Sequence, residues 1–229
     1  MDGPALSIVM PSFNEGERIG AAMAALAPLA ARGAEVIVVD GGSTDGTAAM
    51  ARAGGAKVID APRSRAAQMN AGAAIARGGA LLFLHADTLL PPGADRLILD
   101  ALRSHAWGRF DVRIEGLHPM LRVIARLMNL RSRLTGIATG DQAMFMSRAA
   151  FERAGGFPAQ PLMEDIELSA RLRRIGRPAC IAVHVVTSGR RWHRDGAWRT
   201  ILLMWRLRFA YWRGAAPADL HRRYYGSAR

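Results

Sequence analysis

Three segments of this chain gather polar side chains where apolar runs stop. Pro11-Ser12-Phe13-Asn14-Glu15 follows the run at 5–10, Asp40 to Thr47 (DGGSTDGT) follows EVIVV, and His85-Ala86-Asp87-Thr88 follows ALLFL. Carboxylates grouped in this way can hold a hard cation through oxygen or take a proton from a reacting hydroxyl. Asp141 and the pair Glu164-Asp165 come later, and Arg65, Arg190 and Arg191 offer planar forks suited to phosphate or carboxylate. Each segment also has an ordinary structural use. Asp40 can simply end a strand, Ser43 to Thr47 can be a turn that caps the next helix, and Asn14 can cap the first one. Glu164 and Asp165 can serve only to favour a helix N-terminus.

The elements that must position these residues follow from the apolar pattern. Residues 5–10, 35–40, 57–60 and 80–85 are short β-branched or apolar runs that read as buried strands, and 16–32 and 63–77 read as helices between them. Such alternation predicts a mainly parallel sheet flanked by helices, in which ligands bind outside the carboxyl ends of the strands. The three polar segments fall on that one edge. The alternation of His85 and Asp87 in an extended strand puts both on the same face. Beyond residue 100 the simple rhythm is lost: 107–114 reads as a less buried strand, 118–134 as an amphipathic helix, 142–146 and 179–186 as strands, and 164–175 and 198–212 as helices.

Composition bounds the classes available. The chain has 229 residues, half of them hydrophobic and 22% charged, within the range of one globular α/β domain. Cys180 is the single cysteine, so neither an internal disulfide nor a zinc ribbon is open to it. The most Ala/Leu-rich stretch, 19–31, is short and carries Pro28, and the first residues lack a basic leader and apolar run, so an intracellular protein without spanning helices is expected. The net charge is +12 with Lys57 as the only lysine, and from Ser188 onward ten arginines face only Asp195 and Asp219. An anionic partner is expected at that end.

Taken together the motifs resemble those of the family 2 glycosyltransferases. PSFNE is similar to the family's opening P-x-x-N-E, VVDGGSTDGT to its second-strand aspartate motif, RAAQMNAGAAIARGG to its arginine and N-x-G-x-x-x-A helix, and FLHADT to its metal motif; TGDQ and MED match its acceptor side. The resemblance runs from about Leu6 to Trp192, and is strongest to small bacterial members associated with radical-SAM and selenium-related proteins. It implies the GT-A fold in one domain: a nucleotide-binding half to residue 100, an acceptor-side half at 101–192 and a basic aromatic C-terminal helix at 193–229. It implies a nucleotide-sugar donor, UDP-sugar favoured, held by Pro11, Asn14, Glu15, Asp40, Arg65, Ala86, Asp87, Arg190 and Arg191. Mn2+ or Mg2+ is implied at Asp87, with His85 standing where the family's first metal-motif aspartate would be. Asp165, ahead of Glu164, is implied as the general base of an inverting transfer, with Asp141 and Trp192 at the acceptor.

Ser188-Gly189-Arg190-Arg191-Trp192 resembles the Q-x-x-R-W element of processive polysaccharide synthases, but serine replaces the glutamine and channel helices are lacking. A processive polymer synthase is therefore not expected. His184 and His193 are further metal candidates, and Arg63 and Arg77 read as solvated. A sugar-1-phosphate nucleotidyltransferase would open with a Gly- and Arg-rich loop and a lysine, which PSFNEGERIG lacks. The charge alone fits a nucleic-acid binder, yet carboxylates after three strands argue against one. In the last helix Trp198, Leu202, Trp205, Phe209 and Trp212 form one stripe. The ordinary expectation is that the stripe packs on the catalytic domain. The alternative is that it lies on an anionic membrane at the inner face of the cell and brings the site to a lipid-linked acceptor.

Overall fold

The computed structural model describes residues 3–190, 192 and 196–226. Its eight strands are β1 (Leu6–Ser12), β2 (Glu35–Asp40), β3 (Lys57–Asp60), β4 (Ala80–Phe83), β5 (Thr88–Leu89), β6 (Trp107–Glu115), β7 (Phe145–Ser147) and β8 (Ala179–Ser188). They form one sheet in the order β3-β2-β1-β4-β7-β6-β8-β5. β3, β2, β1 and β4 are parallel, as are β6 and β8, whereas β7 runs against both β4 and β6 and β5 against β8. This is the mostly parallel, helix-flanked sheet that the alternating pattern predicts.

Both faces of the sheet are covered, which is why its strands read as continuous apolar runs. Ile8, Met10, Val38 and Leu82 point into one core with α1 (Gly16–Ala30), α2 (Thr47–Ala53), α4 (Ala94–Ala101) and α5 (Met120–Thr135). Val9, Ile37, Val39 and Leu81 point into the other with α3 (Arg65–Ile75), α6 (Arg148–Arg153) and α7 (Glu164–Ile175). Gly72 allows α3 to lie close on the sheet, since a Cβ there would stand 2.4 Å from Val9 Cγ1. The chain ends in α8 (Ala197–Trp212) and α9 (Pro217–Gly226).

Several expectations are corrected. β4 ends at Phe83, and residues 85–88 form a turn closed by the Thr88 N–H on the His85 carbonyl (3.0 Å), so strand alternation does not apply to His85 and Asp87. Gln142 belongs to a 3-10 turn, Gly140–Gln142, and β7 starts only at Phe145. β6 is deeply buried despite its polar residues, because Arg109 and Asp111 pair with each other and with Arg133, Ser132 and Asn129 from α5. The aromatic stripe of α8 does not pack on the domain. Its five residues are 51% to 80% exposed, while Leu203, Met204, Leu207 and Tyr211 on the opposite side pack against Leu162, Met163 and Leu220. Among the described residues no helix is long and apolar enough to cross a membrane.

Candidate active site

At the carboxyl ends of β1 and β2 the polar segments are laced together. Asp40 is buried; its Oδ2 accepts the N–H groups of Gly42 (3.1 Å) and Ser43 (2.8 Å), and its Oδ1 the Ser43 hydroxyl (2.5 Å). Three of the roughly four acceptor sites of a carboxylate are thus occupied by its own loop. Asn14 does not cap α1. It sits at φ 51, and its Oδ1 accepts the Thr44 N–H at 3.0 Å, so it ties the first loop to the second. Glu15 occupies the N-cap position without a side-chain cap bond, and Arg190 Nη2 approaches its carboxylate at 4.0 Å. The structure therefore brings Arg190 back to the β1 edge. Pro11 pairs with Val39 across the β1–β2 ladder, and Ala86 is buried in the turn after β4.

Gln68 went unnoticed in the sequence. Its buried amide donates to the carbonyls of Ser12 and Val39, both at 2.8 Å, and holds the ends of β1 and β2 at a fixed separation. A polar side chain among the apolar positions Ala66, Met69 and Ala73 of one helix face was the available signal. Arg63 is exposed, but its guanidinium lies 3.6 Å from the centre of the Phe13 ring, and Arg77 bonds to Glu35, so neither is simply solvated.

The second group meets in a cleft lined by Met69, Phe83, His85, Gly140, Met144, Phe157, Glu164 and Asp165. The Gly140 N–H donates to Asp165 Oδ2 at 2.8 Å, and Asp165 Oδ1 accepts the Ile166 N–H at 2.8 Å, so the carboxylate is held at both oxygens. Gly140 leaves room for the His85 side chain. A Cβ there would lie 2.5 Å from the His85 imidazole. His85 Nδ1 is 3.5 Å from Asp141 Oδ1, which joins the turn after β4 to the TGDQ segment. Asn70 exchanges two hydrogen bonds with the Phe157 backbone (2.8 and 2.9 Å), fixing the loop that leads to Glu164. Asn14, Ala143 and Met163, the non-glycine residues of left-handed φ among those described, all lie in or beside these segments, as strained backbone tends to do at functional sites.

Burial and the neighbouring Asp165 charge push the Glu164 carboxyl above its ordinary range, against the opposing charges of Arg65 and His85. The positive charge of Arg65, at the start of α3, is thus felt by Glu164. Arg131 of α5 was also missed. Its Nε and Nη2 are buried without hydrogen-bond partners, and burial lowers its pKa while the charges of Asp165 and Asp141 act to raise it. An arginine in an arginine-rich amphipathic helix carries no mark of this in the sequence.

Asp87 is half-buried, with Thr88 Oγ1 at 3.5 Å from its carboxylate and no ion pair among the described residues; its carbonyl accepts the Ser188 N–H at 3.1 Å. Among the described residues no cluster of three or more His, Cys, Asp or Glu side chains could hold an ion alone. The carboxylate of Asp87 and the imidazole of His85 are donors that would suit a hard cation with further oxygen ligands from outside these two side chains. His184 is exposed, pairs with Asp111 just after the β8 bulge at 182–183, and does not line the cleft. Trp192 packs against the core rather than standing free, and Arg191 and His193 lie outside the described residues.

The sheet, its crossovers and a polar edge at the strand ends define the GT-A class of α/β fold. The chain belongs to glycosyl transferase family 2, whose model matches residues 7–154, and it is a glycosyltransferase. Among solved structures it is similar to a mannosyltransferase from Pyrobaculum calidifontis in complex with GDP-Man and Mn2+ (22% identity, TM-score 0.67, 99% of this chain and 69% of that one). It is also similar to S. aureus TarS 1–349 (17% identity, TM-score 0.65, 83% and 62%), which has been solved with UDP and UDP-GlcNAc. A third likeness is to glucosyl-3-phosphoglycerate synthase from Mycobacterium tuberculosis in complex with Mn2+, UDP and glucosyl-3-phosphoglycerate (20% identity, TM-score 0.56, 81% and 71%). At these identities the likeness is one of fold, and the chain spans about two thirds of each neighbour's length. No curated protein matches it in sequence.

Proposed function

We propose that the protein transfers a sugar from a UDP-sugar to an acceptor hydroxyl, with inversion and with the help of a divalent cation. The observation that carries this is the cleft in which Asp165, Glu164 and His85 converge beside Phe83 at the end of β4. Pro11, Asn14, Glu15, Asp40, Ala86 and Asp87 line the donor end, where the remaining acceptor capacity of Asp40 suits a ring N–H of uracil. Arg65, Arg190 and Arg191 are assigned to the diphosphate, and Asp141 and Trp192 to the acceptor. Asp87 and His85 are the residues that would hold Mn2+ or Mg2+, which when bound neutralises charge developing on the leaving diphosphate.

In the transfer the acceptor oxygen bonds to C1 of the sugar while the bond from C1 to the diphosphate oxygen breaks, and the electron pair leaves with the nucleoside diphosphate. Asp165 takes the hydroxyl proton. Its two N–H contacts fix it in place without occupying all its acceptor capacity. A single attack from the face opposite the leaving group inverts the anomeric centre. Solved neighbours hold both UDP and GDP-Man, so the base is decided by thermal shift with UDP, GDP, ADP and TDP, each with and without Mn2+. UDP with Mn2+ should stabilise the protein most, and Asp87→Ala should remove the metal dependence. Asp165→Asn should keep the UDP shift while transfer falls by about 10²–10⁴. Equal shifts for every nucleotide, or wild-type turnover by Asp165→Asn, would overturn the assignment.

A second element of the proposal is peripheral attachment to an anionic membrane through α8, supported by its exposed aromatic stripe and the exposed Arg199, Arg206 and Arg213 beside and beyond it. Aromatic rings and arginine suit that interface.

A further inference from the structure

α8 is not the only helix with an open apolar stripe. α5 turns Leu121, Ile124, Ala125, Asn129 and Ser132 inward, and leaves Val123, Leu127, Leu130 and Leu134 between 42% and 72% exposed. Their spacing of four, three and four residues puts them on one line along the helix. Leu117, just before the helix, is almost fully exposed, and Arg122 and Arg126 stand in the open beside the line. Single exposed leucines are normal, but an ordinary surface helix carries polar residues along this whole face.

Charge selects the occupant. α5 opens Arg122 and Arg126 to solvent, its Arg131 having buried guanidinium nitrogens and its Arg133 being paired with Asp111, and α8 opens Arg199 and Arg206; neither helix has an Asp or Glu. A second copy seated stripe to stripe would set arginine against arginine with no carboxylate from either helix between them. An anionic lipid surface matches both features, taking up the apolar line and attracting the arginines.

Both helices are also tied to the carboxylate end of the cleft. Asn129 of α5 receives the Gln142 side-chain amide (3.4 Å) in the turn that carries Gly140 and Asp141. Leu203, Met204 and Leu207 of α8 pack on Leu162, Met163 and Ile166, on either side of Glu164 and Asp165. We propose that the open stripe of α5 is a second membrane-binding element, which with α8 seats the acceptor end of the cleft on an anionic bilayer, so that the acceptor hydroxyl is delivered by a lipid in that bilayer. The proposal rests on the reading of α8 as membrane-bound and on the assignment of Asp165 to the acceptor side.

The test is co-sedimentation of the full chain with vesicles of phosphatidylcholine alone or mixed with phosphatidylglycerol, at low and high salt. The wild type is compared with Leu127→Ser/Leu130→Ser in α5 and Trp205→Ser/Phe209→Ser in α8. Binding should require phosphatidylglycerol, weaken with salt, and fall about tenfold or more in each pair, since affinity scales with the apolar area buried. Both pairs lie on exposed positions and should keep the UDP–Mn2+ thermal shift, which separates lost membrane binding from lost folding or lost donor binding. Wild-type vesicle binding by the α5 pair, alongside loss in the α8 pair, overturns the role of α5 and leaves that of α8 standing. No vesicle binding by the wild type overturns both and leaves the glycosyltransferase site untouched. Wild-type dimerisation in sedimentation velocity that the α5 pair abolishes assigns the stripe to a second copy and likewise overturns the proposal.

Discussion

Glu164 and Asp165 are neighbours in sequence with opposite environments. Asp165 is held by two N–H groups at the cleft, while Glu164 is buried, with its pKa raised by that burial and by the Asp165 charge. A carboxyl whose folded pKa is raised carries no penalty below its unfolded pKa and increasingly opposes folding as pH rises above it. Glu164→Gln should therefore raise the melting temperature near neutral pH and leave it unchanged in acid, measured by calorimetry across that range. Arg131 presents a comparable conflict, since two of its guanidinium nitrogens are buried and unpartnered, a costly state for a charged group. Arg131→Met should fold at least as stably as the wild type and yet transfer sugar more slowly, because Asp141 and Asp165 lose their neighbouring positive charge. A melting curve and a turnover assay on the same sample decide this. Asp40, Glu164 and Asp165 of the candidate site were legible in the sequence because they close β2 and open α7. Arg131 was not, because its burial comes from where α5 lies on β6 and not from its own segment.

At the scale of elements, packing contacts decide what propensity leaves open. Gly72 lets α3 lie against Val9 and Val39, so Gly72→Ala should cost about 1–3 kcal/mol, as overpacked cores do, and chemical denaturation gives the value. Asn70 acts from the same helix in another way. It holds the Phe157 backbone from a separation of 87 residues, so Asn70→Ala should reduce turnover more than donor affinity by loosening the approach to Asp165. The long apolar strands and α7 were readable because burial on both faces leaves a continuous apolar run and an acidic first turn marks a helix start. β5 and α6 were not read, and the single helix expected at 193–229 is, among the described residues, the two helices α8 and α9 parted at 213–216. β5 has two residues and exists only because β8 supplies its partner, which no local pattern encodes. The buried β6 was misjudged for the same reason: Arg109 and Asp111 look like surface residues until α5 brings the Asn129 carbonyl to Arg109 and Arg133 to Asp111.

Across the whole molecule, carboxylates fasten distant segments. Glu35 joins Ser7 and Arg77, Asp95 joins Arg32, and Asp111 joins Arg109 and Arg133. In each the hydrogen bonds and positive charges outweigh burial wherever burial opposes ionisation, and hold the carboxyl below its ordinary range. Stability from these groups is present above the unfolded carboxylate pKa of about 4 and is lost as pH falls through their folded values. The protein should lose stability only as pH falls below about 4, and Asp111→Asn should flatten that loss while lowering stability at neutral pH, measured by circular dichroism. The pairing of β5 with β8 has a consequence for how the site comes into being. The Asp87 carbonyl is met by Ser188 N–H, and the Thr88 hydroxyl by Thr187 across 99 residues. A chain that emerges from the ribosome N-terminus first can complete β1 to β4 long before residue 187 is made. The turn bearing His85 and Asp87 gains its clamp from β8 only when that strand docks, so the cation site proposed there depends on a segment made about a hundred residues later.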